Sequence, residues 1–83
     1  MKEITESFLQ SLQFAKSFTQ DIEGEYYYDL EIGSLCFISN TNLEALEKGW
    51  TVELFDHQNF SFRAKPDKLV EAINLLKEVH KKD

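Results

Sequence analysis

Cys36 and His57 are the residues of this chain best suited to covalent chemistry, a thiol and an imidazole. A nucleophilic Cys–His pair needs both side chains within hydrogen-bond reach and a third group to orient the ring. The surrounding pattern puts Cys36 inside one hairpin and His57 at the tip of another, which opposes a dyad. A metal centre asks for clustered ligands at workable spacing. One Cys, with His57 and His80 far apart in sequence, does not supply that. Glu25, Asp29 and Glu31 alternate along a strand and read as a solvated face. No catalytic residue, metal ligand or cofactor is expected, and the chain is read as a non-enzyme.

Tyr26-Tyr27-Tyr28 raises the question of base stacking, because sheet aromatics serve that purpose in RNA-binding modules. The flanking residues here are Glu25 and Asp29, which repel phosphates. The three Gly are scattered, so no Gly-rich phosphate cradle exists. Direct nucleic-acid binding is not expected.

Charge sharpens that exclusion. The 83 residues carry a net charge of −6. Residues 1–56 hold three Lys against eleven carboxylates, and residues 57–83 hold six Lys or Arg against four. Phosphates and anionic lipid bind through counterion release around Lys and Arg, so an acidic chain is poorly placed for either. A basic protein partner suits it better. No apolar run approaches the roughly 18–20 residues a membrane span requires. A lone Cys36 makes no internal disulfide and fits a reducing compartment, so a cytoplasmic location is expected. At this length, with 42% hydrophobic residues and no compositional break, residues 1–83 are read as a single compact domain.

The elements that position these residues follow from periodicity. Ile4, Phe8, Leu12, Ala15, Phe18 and Ile22 recur at helical spacing, predicting a helix over about 3–21. The period then becomes two. Tyr26, Tyr28, Leu30 and Ile32 alternate with polar residues, Gly33-Ser34 suits a type II′ turn, and Leu35-Cys36-Phe37-Ile38 returns. That turn pairs Ile32 with Leu35 and Leu30 with Phe37. Thr41 and Glu44 form a capping box and Gly49 a stop, predicting a short helix with Leu43 and Leu46 turned inward. Trp50, Val52 and Leu54 read as a third strand on the inner face, with Trp50 against the closing helix. A His57-Gln58-Asn59 loop, with Asn59 at positive φ, then pairs Leu54 with Phe62 and Glu53 with Arg63. Pro66 opens a last helix with Leu69, Ala72, Ile73, Leu76 and Val79 as its buried stripe.

The resulting expectation is an α+β fold in the order α-β-β-α-β-β-α, a four-stranded antiparallel sheet with two long helices on one face. The other face then carries Glu25, Tyr27, Asp29, Glu31, Ile38, Glu53 and Phe55, apolar groups rimmed by one sign of charge. Such a surface suits protein interaction. The leading expectation is an acidic inhibitor or immunity-type protein that engages a basic, nucleic-acid-binding protein surface. The alternative is a small homodimeric secretion or assembly chaperone, since the layout is similar to that of type III secretion chaperones. A third reading is a small regulator or enzyme.

Overall fold

Eight elements follow one another: α1 (Glu6–Ser11), β1 (Ala15–Phe18), β2 (Tyr26–Ile32), β3 (Leu35–Ser39), α2 (Asn42–Lys48), β4 (Val52–Leu54), β5 (His57–Ser61) and α3 (Pro66–Lys81). The computed structural model describes residues 3–55, 57–61 and 65–81, with 57–61 and 80–81 described by backbone alone. The strands form one sheet in the order β1-β2-β3-β4-β5, each antiparallel to its neighbour. An α+β fold on an antiparallel sheet was the expectation. A fifth strand and the loss of one long helix are corrections to it.

Both corrections have one cause, the early end of α1. Thr5 caps its start, its hydroxyl accepting the Phe8 N–H at 3.1 Å. Its other end closes in a Schellman motif built without glycine. The Gln13 N–H donates to the Gln10 carbonyl at 3.0 Å and the Phe14 N–H to the Leu9 carbonyl at 3.1 Å. Gln13 adopts φ 70° to allow this. Leu9 and Phe14, the pair that the motif brings together, are both core residues. Burying Phe14 outweighs continuing the helix. The chain then runs extended, and Ala15, Phe18 and Ile22, assigned to the helical stripe by spacing, are exposed instead.

The β2–β3 hairpin matches its expected register, with Ile32 opposite Leu35 and Leu30 opposite Phe37. Gly33 has φ 61° and Ser34 does not share the positive φ, which fits a II′ turn and not I′. The capping box of α2 is also present, Thr41 and Glu44 each bonding the other's backbone N–H.

What differs is how α2 is attached. It buries no side chain, and Leu46 is 84% exposed. Two asparagines tether it in place of an apolar stripe. Asn42 accepts the Tyr26 N–H at 2.9 Å and donates to the Gly24 carbonyl at 3.2 Å. Asn40 accepts the Thr51 N–H at 3.0 Å and donates to the Gly49 carbonyl at 2.9 Å. Polar tethers to β-strand ends leave Leu43 and Leu46 free to face outward.

The last hairpin has a different register from the expected one. Glu53 pairs with Ser61, not Arg63, and Leu54 pairs with His57 across a shift in register. His57, Gln58 and Asn59 are strand residues of β5, so the turn does not run through them. The expected partners Phe62 and Arg63 lie outside the described residues.

Register places Tyr26, Tyr28, Leu30, Ile32, Phe37, Val52 and Leu54 on one side of the sheet. Tyr28, Ile32, Phe37 and Val52 join Ile4, Leu9, Phe14, Leu69 and Ile73 in the core. Pro66 opens α3 as expected, and Leu69 and Ile73 are its buried anchors. Val79, assigned to the same stripe, is 52% exposed. Trp50 is half-buried, and its ring lies against those of Tyr26 and Tyr28.

Candidate functional site

The opposite side of the sheet supplies none of the core residues among those described. Its side chains are arranged by strand register. Asp29 lies opposite Ile38, and Ile38 opposite Glu53, making one row across three strands. In the next row Glu31 lies opposite Cys36, and the Phe55 N–H donates to the Cys36 carbonyl at 2.7 Å, which sets Phe55 alongside. Tyr27 pairs with Ser17 at the β1 edge. Strand β3 therefore lends an apolar column, Cys36 and Ile38, with carboxylates of β2 and β4 on either side.

Six of the seven residues expected on this face are brought together: Tyr27, Asp29, Glu31, Ile38, Glu53 and Phe55. Glu25 stands apart, in the loop before β2, where its carboxylate accepts the Thr19 hydroxyl at 2.8 Å. Phe55 is 55% exposed and Glu31 is exposed, while Tyr27, Asp29, Ile38 and Glu53 are half-buried. Among the described residues, Asp29, Glu31 and Glu53 have no cationic partner, the one ion pair being Lys68–Glu71 on α3 at 3.6 Å. Uncompensated like charges on adjacent rows give this side a negative field. At the α2 end, a recess of about 170 Å³ is bounded by Ile38, Ser39, Asn40, Glu44, Thr51 and Glu53, so Glu44 joins Asp29 and Glu53 as a third carboxylate near Ile38.

Cys36 lies within this surface as a protonated thiol. Burial pushes its pKa up, and the nearby carboxylates of Asp29 and Glu31 push it further in the same direction. A thiolate nucleophile is disfavoured there. His57 opens β5 opposite Leu54. Among the described residues no group of His, Cys, Asp and Glu has the makings of a metal site, and no helix is long and apolar enough to cross a membrane.

On the inner side, the structure shows a polar cluster that sequence reading passed over. Tyr26 and Tyr28 both donate their phenol hydrogens to Glu6 Oε1, each at 2.8 Å. Gln10 donates from Nε2 to the Tyr28 hydroxyl at 3.0 Å. The bond to Glu6, followed by burial, pushes the Tyr26 pKa up to about 12. Burial, then the bond to Glu6, raises Tyr28 as well. The signal was present: tyrosines two apart on a core-facing strand need hydroxyl partners. Glu6 and Gln10, one turn apart on a helix, are placed to supply them.

Comparison with protein-family models, curated proteins and solved structures finds nothing that matches this chain.

Proposed function

We propose that this chain is a small, non-enzymatic protein-binding domain of the inhibitor or immunity type, whose outer sheet face meets a basic, nucleic-acid-binding surface of another protein. The observation that carries this reading is the row Asp29–Ile38–Glu53 beside Glu31–Cys36–Phe55, in which carboxylates with no cationic partner among the described residues flank an apolar column. Carboxylates so placed stand where phosphates would otherwise contact the partner. They speed encounter and fix register more than they add raw affinity. The apolar column supplies the buried contact at the centre of the interface.

The test combines partner identification with kinetics. Proteins retained from the native host by the wild-type chain are compared with those retained by the double charge reversal Glu31→Lys, Glu53→Lys. A basic nucleic-acid-binding protein, held by the wild type and associating more slowly with the variant at low salt, supports the reading. The same partner binding the folded variant at an unchanged rate refutes it. A secreted substrate held equally by both would point to the chaperone alternative.

A further inference from the structure

We propose that a cleft between α1, α2 and the start of β2 binds an organic cation carried on an alkyl stem, an alkylammonium or alkylguanidinium group. The cleft has a volume of about 170 Å³ and is lined by Glu6, Tyr26, Asn42, Ala45, Leu46 and Trp50. Tyr26 belongs to the core-facing phase of β2, so the site is on the other side of the sheet from Asp29, Ile38 and Glu53. It is independent of the function proposed above.

Three features define the ligand. The first is charge. Among the described residues Glu6 is the only ionisable carboxylate or amine in the lining, so the cleft favours a cation. Both phenols bond Oε1, which holds the carboxylate in one orientation, and Oε2 makes no hydrogen bond among the described residues. A fixed acceptor with one oxygen to spare is preorganised for an N–H donor.

The second feature is aromatic. The Tyr26 and Trp50 rings lie 6.3 Å apart, inclined by 30°, and both line the cleft. Aromatic faces beside a carboxylate attract ammonium and guanidinium groups through the ring quadrupole. The Tyr26 ring already accepts such a group within the molecule: Lys16 Nζ sits 3.9 Å from its centroid. Lys16 is not part of the cleft lining.

The third feature is the rim. Leu46 is 84% exposed, and with Ala45 it offers apolar surface next to the charged end of the cleft. An alkyl stem covering Leu46 while its cation reaches Glu6 satisfies both at once. A bare inorganic cation leaves the rings and Leu46 unused.

Two sources carry this chemistry: a free small amine or guanidine, and a Lys or Arg side chain of another protein. Titration with butylammonium and butylguanidinium, followed through the fluorescence and indole N–H resonance of Trp50, tests the site directly. The neutral isostere butylurea is the control. A saturable change with the cations and none with butylurea is expected. Glu6→Gln should weaken it about fivefold or more. Leu46→Ser, at a position too exposed to disturb folding, should weaken butylguanidinium but not guanidinium itself. A short peptide with an internal Arg or Lys binding more tightly than the butyl probes assigns the site to a protein side chain. Weaker or equal binding assigns it to a small cation. An equal response to butylurea, no saturable response, or affinities unchanged in both variants would overturn the proposal.

Discussion

The Phe14 amide donates to the Leu9 carbonyl across 3.1 Å, and both side chains lie in the core. This single relationship ends α1 and releases Ala15–Phe18 to form β1. It depends on Gln13 holding φ 70°, a region where an L side chain crowds its own carbonyl. Gln13→Gly should therefore raise stability by about 0.5–1 kcal/mol, the relief of strain exceeding the added flexibility of the unfolded chain. Gln13→Val should lower it by about 1 kcal/mol or more. Urea unfolding of the two variants, compared at equal m-value, reads both.

Gly49 follows α2 with φ 79° and ψ 171°, a combination reached almost only by glycine. Nothing lies within 4 Å of a Cβ added there. Gly49→Ala thus isolates backbone strain from steric overlap. The expected loss is about 1–3 kcal/mol in thermal or denaturant unfolding. A loss close to zero would mean that the α2–β4 connection relaxes to another geometry.

Leu46 and Leu69 are both helix leucines, yet their environments are opposite. Leu46 is 84% exposed and Leu69 fully buried. Leu69→Ala should cost about 2–5 kcal/mol, and Leu46→Ala should stay within about 0.5 kcal/mol of wild type. Comparable losses at the two sites would place α2 against the body of the protein.

Tyr26 titrates near 12 because its hydroxyl donates to Glu6. The native state holds that proton more tightly than the unfolded chain, whose tyrosines titrate near 10. Its contribution to stability is fully present below about pH 10 and is lost as pH rises toward 12. In Glu6→Gln the tyrosinate absorbance attributable to Tyr26 should appear at lower pH. An unchanged titration curve in that variant would remove Glu6 as the cause.

The sequence showed most clearly those elements where two independent signals agree. Gly33-Ser34 and the alternation around it both require Leu30 opposite Phe37, and that pairing is present. The capping box at Thr41 is likewise present. Helix α1 was overextended because Phe8, Leu12, Ala15, Phe18 and Ile22 satisfy a helical period by spacing alone. The competing signal, Leu9 and Phe14 either side of a Schellman turn, carries no glycine to announce it. The β4–β5 register depended on which residues made the turn, and a shift at Glu53 and Leu54 changed the pairing. The outer face was legible because strand phase alone decides which side a residue takes. The Glu6–Tyr26–Tyr28 cluster was not, since it joins a helix to a strand that no local pattern connects.

Neighbouring strands of this sheet are also neighbours along the chain, so a ribosome delivers each one beside a partner already made. The covering arrives last. Leu69 and Ile73, which share the core with Tyr28, Phe37 and Val52, belong to α3, the last element in the chain order. Until α3 docks, Ile4, Leu9 and Phe14 are the described core residues from outside the sheet that cover its apolar side. A substitution that loosens α3 therefore uncovers one side of a whole sheet, and aggregation is its expected cost.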